Sequence, residues 1–368
     1  MTYDVIIVGA GFAGLACAQV TARHNLSTLV LDKKYDVGNN IHTTGILVKE
    51  IAEDWDVPDR FVKKINGVRL YSPSLDYLDL HSRDYYFLAS DTPELLRWHA
   101  RQASAAGATI SLESKYSGSF FDNNIHHFNK SNIKSRFIVG CDGARSSVAR
   151  HYQLGINRQF LIGIEAEYGS IDNLDMDKLH VFLDSDLAPG YIGWIVPGVT
   201  GCQVGLATRY PHAPQLKQFI QKISCLFNLE NKTPYSHRAG LIPCGGLVKH
   251  YSNKNVLLLG DAAGMVSPLT AGGIHPAVHL GKISGDLIVE YLNSGGDAPG
   301  KLIKSYLPNY MFKNNLRQLF DHIYLPNSLF NTMLQTPLFR SLAQTVFFHH
   351  RGLLSADAWR DLIKIFMH

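Results

Sequence analysis

The sequence DVIIVGAGFAG, residues 4–14, decides the fold of this chain. A short apolar, β-branched run leads into a glycine-rich turn and then into a helical stretch that we predict for residues 12–24. A second apolar run at 27–31 follows and ends in Asp32. Strand, helix and strand in this order predict a βαβ unit at the start of a Rossmann-type sheet.

The glycines of this turn each have a separate task in a dinucleotide-binding unit. Gly9 permits the tight turn, Gly11 lets the backbone approach a pyrophosphate, and Gly14 allows close packing of the helix. The start of the helix, at Phe12 and Ala13, supplies free N–H groups and a partial positive charge. These residues therefore predict a site for a pyrophosphate.

Asp32 follows the last glycine by eighteen positions, and Lys33 stands next to it. A carboxylate at the end of the second strand accepts hydrogen bonds from ribose hydroxyls and disfavours a 2′-phosphate by like charge. Because the glycines occur together with strand, helix and acid, we predict a bound dinucleotide, with Lys33 in the same site.

A second candidate binding turn is LLLGDAAG at residues 257–264. An apolar strand ends there in small residues, among them Gly260, with the single carboxylate of Asp261. Small side chains let a bulky ligand approach the backbone, and open α/β sheets bind ligands at the ends of parallel strands.

Composition limits the class of protein. With 368 residues, 46% hydrophobic and 18% charged, the chain is expected to form one large composite domain or two interleaved ones plus an appendage. Its net charge of +4 is spread along the chain and does not indicate nucleic-acid binding. Five cysteines without a C-x-x-C pair predict neither a zinc site nor a disulfide framework, and they favour a reducing cytoplasm.

The middle and end of the chain have different patterns. Alternating runs predict an antiparallel sheet as the wall of a substrate site, with strands at 160–168, 180–183, 191–196 and 202–208. A long helix is predicted at 275–292, and the chain then continues helical to an amphipathic tail. No run of roughly 20 apolar residues predicts a membrane span, while contact with a membrane surface stays open.

Three motifs in this order resemble one superfamily. DVIIVGAG at 4–11, DGARS at 142–146, and GDAAG at 260–264 with PLTAGGI at 268–274 are similar to the FAD-dependent superfamily that includes p-hydroxybenzoate hydroxylase. Within it, PLTAGGI and GYIGWIVP at 190–197 most resemble the geranylgeranyl reductase family.

The resemblance implies a fold and a cofactor. It implies an α/β protein in which a Rossmann-type FAD-binding fold is interleaved with an antiparallel-sheet substrate domain and followed by a C-terminal helical segment. The corresponding domains are residues 1–75, 92–158 and 250–292 for FAD, 76–91 and 159–249 for substrate, and 293–368 for the helical segment.

The resemblance also assigns parts of FAD to residues. It implies that Gly11, Phe12 and Ala13 face the pyrophosphate, Asp32 the adenosine ribose, and Asp261 the ribityl or pyrophosphate region. The isoalloxazine edge is assigned to Gly272, Gly273 and Ile274. The further predicted FAD contacts are Gly9, Gly14, Lys33, Thr43, Thr44, Gly45, Asp142 and Gly260.

Two positions depart from the family pattern. Many geranylgeranyl reductases carry a cysteine and a glycine pair in the loop after the ribose acid, where this chain has His42, Thr43, Thr44 and Gly45. No thiol is available in that loop. Thr92 aligns with a position where the family commonly has arginine.

The leading reaction is reduction of a carbon–carbon double bond in an apolar, isoprenoid-like substrate, by hydride from reduced FAD and a proton from a nearby acid. His42 and His275 are the candidate acids, because histidine alone titrates near neutral pH without special tuning. Tyr191 and Trp194 are predicted wall residues of the substrate site. An FAD-dependent monooxygenase of an aromatic or other apolar compound, and a flavin-binding protein without turnover, stay open.

The sequence says less about the electron donor and about metal binding than about FAD. No second G-x-G-x-x-G is visible, so either NAD(P)H visits transiently or a redox protein delivers electrons. His275 and His279 are four apart but lack the acid of an H-E-x-x-H motif, so we predict no metal. We expect a cytoplasmic protein, with peripheral membrane contact left open.

The apolar tail must bury its surface somewhere. It either closes over the substrate cavity as a helical lid, packs as an ordinary subdomain, or meets a membrane or partner; we favour the lid. Its apolar residues are Leu325, Leu329, Phe330, Met333, Leu334, Leu338, Phe339, Leu342, Val346, Phe347 and Phe348.

Overall fold

The βαβ unit at the start of the chain forms as predicted. The computed structural model describes residues 1–129, 131–322 and 325–348, so the predicted amphipathic tail beyond 348 lies outside them. Strand Thr2–Val8, helix Phe12–Arg23 and strand Thr28–Leu31 follow one another, and the two strands pair in parallel.

An eight-stranded sheet, here called the Rossmann sheet, is built on this unit. Its parallel centre has the order Val256–Leu258, Lys134–Gly140, Thr2–Val8, Thr28–Leu31 and Thr109–Ser111. Three further strands are antiparallel additions: Ser119–Asp122, Ile125–Phe128 and Ser252–Asn253.

Helices cover this sheet and bury its central strands. Val5, Ile6 and Ile7 are fully buried, as is typical of the central strands of a parallel sheet. The long helix Ile274–Ser294 lies against Phe12–Arg23, which also contacts Thr92–Ala105. Gly281 allows helix Ile274–Ser294 to approach Phe12–Arg23 closely. A Cβ at this position would lie only 2.7 Å from the carbonyl oxygen of Ala13.

A second, seven-stranded sheet confirms the predicted antiparallel wall and is here called the cavity sheet. Its order is Ser236–Pro243, Phe160–Tyr168, Cys202–Arg209, Gly193–Pro197, Lys178–Phe182, Gly67–Tyr71 and Tyr77–His81.

One strand of the cavity sheet differs from the predicted domain limits. Gly67–Tyr71 pairs in parallel with Lys178–Phe182, whereas the predicted limit at residue 75 groups it with the FAD-binding segments. Val68 and Leu70 in this strand are buried in one cluster with Val181 and Val196. The partner of this five-residue strand is distant in the sequence. No local sequence pattern therefore indicates to which sheet the strand belongs.

The other elements support these two sheets. Helix Leu216–Phe227 packs Phe219 and Ile223 against the back of the cavity sheet. A three-stranded sheet comprises Ile46–Val48, Phe87–Ser90 and Val62–Ile65. The short helices and 3-10 turns are Ile51–Asp54, Asp59–Phe61, Ser147–His151, Leu229–Asn231, Gly260–Ala263, Pro299–Leu302 and Ile303–Tyr306.

The predicted C-terminal helical segment consists of Met311–His322, Asn327–Met333 and Pro337–Phe348, here called the C-terminal helices. Leu334 and Phe348 are buried in the same cluster as Trp194 of the cavity sheet. Among the described residues, no helix is long and apolar enough to cross a membrane.

Candidate active site

A large cavity of about 1770 Å³ lies between the Rossmann sheet, the cavity sheet and the C-terminal helices. Ligand sites commonly enclose about 300–1,000 Å³, so this cavity exceeds what one drug-sized ligand requires. Gly11, Phe12 and Ala13 line one end, and side chains of the cavity sheet line another part.

The three glycines of the first turn differ in what surrounds them. A Cβ on Gly9 would lie 2.2 Å from the carbonyl oxygen of Cys141, and one on Gly14 would lie 2.0 Å from the carbonyl oxygen of Gly9. Neither position has space for a side chain. A Cβ on Gly11 would meet nothing within 4 Å among the described residues. Gly9 and Gly14 therefore serve packing, while Gly11 faces open space in the cavity.

Two helices begin at the cavity without a capping side chain. Gly11 is the N-cap of Phe12–Arg23 and Gly273 that of Ile274–Ser294. In these described segments neither cap receives a side-chain hydrogen bond and neither first turn contains an acid. Uncapped N–H groups and positive helix ends attract anions. Together with the open space at Gly11, these two ends fit a pyrophosphate-containing cofactor.

Asp32 supports the glycine turn from the next strand. Its Oδ2 accepts a hydrogen bond from the N–H of Ala10 at 2.7 Å, and its Oδ1 accepts one from the N–H of Lys34 at 2.9 Å. Two carboxylate oxygens offer about four acceptor positions, so capacity for a ribose remains. Lys33 is exposed, whereas Lys34 lines the cavity, and burial lowers the pKa of Lys34.

Asp142 is engaged with its own neighbours. Its carboxylate accepts hydrogen bonds from the hydroxyl of Ser146 at 2.5 Å and from the N–H of Ser147 at 2.5 Å. It thereby holds the start of the short helix Ser147–His151, whose N-cap is Ser146. Gly143, the next residue, lines the cavity, and a Cβ there would meet nothing within 4 Å among the described residues.

The loop at residues 42–45 lines the cavity. His42 is exposed, and its Nδ1 lies 2.8 Å from the carbonyl oxygen of Ala239. Thr43 and Thr44 are half-buried. The loop thus presents hydroxyl and imidazole groups at the position where the family carries a thiol.

Close packing between Gly45 and Thr92 accounts for the residue type at both positions. A Cβ on Gly45 would lie 2.0 Å from the Thr92 hydroxyl oxygen, and Gly45 has a φ of +81°. Ser90 donates from its hydroxyl to the carbonyl oxygen of Gly45 at 2.9 Å. Thr92 is fully buried and therefore packs this loop instead of extending a charge into the cavity.

Asp261 lies at the end of strand Val256–Leu258, as predicted. Gly260 there has a φ of +57°, and a Cβ on it would lie 3.2 Å from Cβ of Ala13. Burial raises the pKa of the Asp261 carboxyl to about 6. Asn157 donates to the carbonyl oxygen of Asp261 at 2.7 Å, which fixes the turn beside the glycine loop.

The segment at residues 266–274 borders the same space. Gly272, Gly273 and Ile274 line the cavity. Tyr191 donates from its hydroxyl to the carbonyl oxygen of Thr270 at 2.8 Å, and this bond joins the segment to the cavity sheet. The structure therefore brings together the glycine loop, Asp261, the loop at 42–45 and this segment, while Gly9, Gly14, Asp32, Lys33 and Asp142 lie outside the cavity lining of the described residues.

Comparison with known proteins shows which proteins this chain resembles. Residues 7–57 match the family model described as NAD(P)-binding Rossmann-like domain. A digeranylgeranylglycerophospholipid reductase of Methanocaldococcus jannaschii is 26% identical, with 77% of this chain and 76% of the relative covered. A geranylgeranyl diphosphate reductase of Rhodobacter capsulatus is also 26% identical, with 83% of this chain and 80% of that protein covered.

The chain is an FAD-dependent oxidoreductase related to the geranylgeranyl reductases. The resemblance seen in the sequence motifs is thereby confirmed. The fold is shared with a geranylgeranyl bacteriochlorophyll reductase-like protein of Thermoplasma acidophilum, at a TM-score of 0.81, 20% identity and 99% coverage of both chains. A probable FAD-dependent monooxygenase of Pseudomonas aeruginosa aligns at a TM-score of 0.66 and 18% identity, covering 91% of this chain and 100% of its own.

In this oxidoreductase, His275 has a partner that the sequence did not indicate. Its Nε2 lies 2.7 Å from Oδ2 of Asp54, and Nδ1 of His279 lies 3.0 Å from the same oxygen. These potential ligand atoms all lie within 4.8 Å of one another. Nε2 of His275 is within hydrogen-bond distance of this carboxylate, and the three side chains also form a group that could hold a metal ion, so the absence of a metal here stays a prediction.

The oxidoreductase also has a buried acid that sequence reasoning missed. Glu165 lines the cavity and is 4% exposed. Its Oε2 accepts hydrogen bonds from the Thr44 hydroxyl at 2.8 Å and from Nε1 of Trp194 at 3.2 Å. The only available signal was a carboxylate within the apolar strand Phe160–Tyr168, because the contact with Trp194 depends on sheet register.

Proposed function

We propose that this protein reduces a carbon–carbon double bond in an apolar, isoprenoid-like substrate. The observation that carries the proposal is the apolar character of the cavity beyond the residues predicted to contact FAD. Aliphatic and aromatic side chains from the cavity sheet and the C-terminal helices form that part: Leu70, Leu179, Val181, Val196, Ile242, Phe330, Phe339, Leu342, Val346 and Phe347. Both named relatives are reductases of geranylgeranyl compounds by name.

Bound FAD supplies hydride chemistry when it is reduced. The chain's own contribution is to hold the cofactor and to keep water away from the reacting groups. We assign the pyrophosphate to the N–H groups at Gly11, Phe12 and Ala13. The start of helix Ile274–Ser294 favours negative charge beside Gly273, typically by about 0.3–2 kcal/mol, which makes reduction of a flavin easier there.

A monooxygenase is the second candidate. The fold shared with the Pseudomonas aeruginosa protein favours it, because one flavin-binding scaffold serves both kinds of chemistry. Such a reaction consumes molecular oxygen, whereas reduction of a double bond does not. Oxygen consumption therefore separates the two candidates.

The electron donor and the location complete the proposal. We assign NAD(P)H, binding transiently, or a redox protein as the donor. We place the protein in the cytoplasm, with peripheral contact to a membrane from which an apolar substrate can enter.

Anaerobic half-reactions test the proposed function. Purified holoprotein is reduced with NADH, NADPH or dithionite, mixed with polyprenyl or aromatic compounds, and followed by flavin absorbance. Reoxidation by a polyprenyl compound, with two hydrogen atoms gained in the product, is the expected result. Reoxidation that requires oxygen and places an oxygen atom in an aromatic product would support the monooxygenase instead.

A further inference from the structure

Glu165 stands in a row of residues that crosses the cavity sheet. It pairs with Gly205 on one neighbouring strand and with Arg238 on the other, and Gly205 pairs in turn with Trp194. A Cβ on Gly205 would lie 2.7 Å from Cβ of Glu165 and 2.7 Å from Cε2 of Trp194. The missing side chain at Gly205 thus lets the indole reach across to the carboxyl group.

The two carboxyl oxygens of Glu165 differ in their hydrogen bonding. Oε2 accepts both hydrogen bonds, from Thr44 and from Trp194. Oε1 is buried and has no hydrogen-bond partner among the described residues. Nη1 of Arg238 lies 3.8 Å from it, beyond hydrogen-bond reach.

Arg238 is committed to another acid. Its Nη2 donates to Oε1 of Glu167, and its Nη1 donates to the carbonyl oxygen of Thr43 at 3.4 Å. Glu165 and Glu167, on one face of the same strand, therefore share a single guanidinium that bonds directly to Glu167. Burial raises the pKa of Glu165 more than the Glu167 carboxylate does, and together they outweigh the lowering by the hydrogen bonds from Thr44 and Trp194 and by the charge of Arg238.

We infer that Glu165 is the proton donor of the reaction. This inference rests on the proposed function. An isolated double bond has no carbonyl group to take up an electron pair, so reduction requires an acid next to the carbon that does not receive hydride. Glu165 meets this need because its side chain lines the cavity and is held there by the hydrogen bonds from Thr44 and Trp194.

The step balances in atoms and electrons. One carbon gains hydride with its electron pair from the reduced cofactor, which is oxidised. The π electron pair forms the second C–H bond with the proton of Glu165 as the O–H bond of its carboxyl group breaks. The resulting carboxylate takes a proton from water once the saturated product leaves.

The test compares Glu165→Gln with Glu290→Gln. Glutamine at 165 keeps an oxygen that accepts from Thr44 and Trp194 but supplies no acidic proton. We expect Glu165→Gln to bind FAD as the wild type does and to be reduced by dithionite, while anaerobic reoxidation by a polyprenyl compound slows by about 10²–10⁴-fold. Glu290→Gln, the same change at an exposed position of helix Ile274–Ser294, should keep the wild-type rate.

A second variant and a spectroscopic measurement make the test independent of turnover alone. Glu165→Asp retains a carboxylic acid on a shorter stem and should recover part of the rate. Infrared difference spectra of wild type against Glu165→Gln, at neutral pH and with oxidised FAD, should show the carbonyl stretch of a protonated acid. A carboxylate band there overturns the inference even without any substrate.

The outcomes separate this inference from the proposed function. If wild type is reoxidised by a polyprenyl compound and Glu165→Gln is reoxidised equally fast, Glu165 only positions Thr44 and Trp194, and the inference is wrong. A larger loss in His42→Gln or His275→Gln would assign the acid to a histidine instead. If no polyprenyl compound reoxidises wild type, the proposed function fails and takes the inference with it.

Discussion

Asp32 is the residue on which cofactor affinity is expected to depend most directly. Asp32→Ala removes the predicted acceptor for the ribose hydroxyls and the carboxylate that holds Ala10 and Lys34. We expect FAD affinity to fall by about 1–3 kcal/mol, measured by titrating flavin-free protein with FAD. Asp122→Ala, on an exposed strand, is the control; equal affinities of both variants would mean that Asp32 has no cofactor contact.

Asp261 makes the stability of the flavin-free protein depend on pH. The folded state holds its proton up to about pH 6, while the ordinary value is 3.8. Between these values the folded state binds more protons than the unfolded state, so the free energy of unfolding falls as pH rises through the window. Asp261→Asn removes this contribution.

Denaturant midpoints of the flavin-free wild type and of Asp261→Asn, measured across this pH range, check the prediction. Subtracting the two curves cancels the opposing effect of His126 and His180, whose pKa values burial lowers to about 4. A pH-independent difference between the two proteins would contradict the assignment.

The candidate site shows which residues can be predicted from sequence. Gly11 and Asp261 each belong to a motif whose residues lie within a few positions of one another, so the sequence pointed to them. Glu165 and Asp54 acquire their partners from strands and helices more than 25 positions away, as Glu165 does from Trp194 at 29 positions. No local pattern encodes such a contact, and both residues were missed.

At the scale of the element, two variants at the start of the first helix test which glycine is needed for folding and which for cofactor binding. Gly14→Ala would place a methyl group 2.0 Å from the carbonyl oxygen of Gly9, so we expect loss of stability even in flavin-free protein. Gly11→Ala meets open space and has an ordinary φ of −88°, so the protein should fold. Its methyl group then occupies space assigned to the pyrophosphate.

The two variants should therefore separate folding from binding. Thermal unfolding of flavin-free protein should be close to wild type for Gly11→Ala and clearly lower for Gly14→Ala. FAD titration of Gly11→Ala should show weakened affinity. Wild-type affinity in Gly11→Ala would place the pyrophosphate elsewhere.

Some ends of strands and helices can be predicted from the periodicity of apolar residues alone. The strand Phe160–Tyr168 has its predicted limits, and the helix predicted at 275–292 runs from Ile274–Ser294. The strand predicted at 191–196 begins only at Gly193, since the N–H of Tyr191 donates in a turn to the carbonyl oxygen of Ala188 and its hydroxyl donates to that of Thr270. Hydrogen bonds outside the sheet therefore decided an end that β propensity alone could not set.

At the scale of the whole molecule, the cavity combines segments that are far apart in the chain. Among the tail residues predicted to bury, Phe330, Met333 and Phe339 line the cavity. Leu334 and Phe348 enter the core of the cavity sheet instead. The tail is thus both a wall of the site and part of the core, which combines two of the alternatives left open by the sequence.

Specific hydrogen bonds hold the tail to the cavity sheet. The Ser185 hydroxyl donates to the carbonyl oxygen of Leu325 at 2.6 Å, and the N–H of Ser185 donates to Oδ1 of Asn327 at 2.8 Å. Nδ2 of Asn327 donates to Asp186 at 2.8 Å. These bonds fix the start of helix Asn327–Met333 at the rim of the cavity.

The adjacent residues Leu338 and Phe339 allow the lid hypothesis to be tested without deleting the tail. Phe339 lines the cavity, whereas Leu338 is 40% exposed. Loss of one buried aromatic contact weakens binding of an apolar substrate by about 1.5–3 kcal/mol. We therefore expect Phe339→Ala to raise KM for a polyprenyl substrate and Leu338→Ala to leave it unchanged.

Removal of residues 325–368 extends this test to the whole tail. The Rossmann sheet and the glycine loop have their own core, formed by residues such as Ile6 and Leu15, so the shortened protein should retain FAD. The apolar wall formed by the tail would be lost and water would enter, so we expect turnover of the polyprenyl substrate to fall steeply while dithionite still reduces the flavin. Full turnover in a folded, FAD-containing truncation would show that the tail is not a lid, and loss of FAD would show that it supports the whole fold.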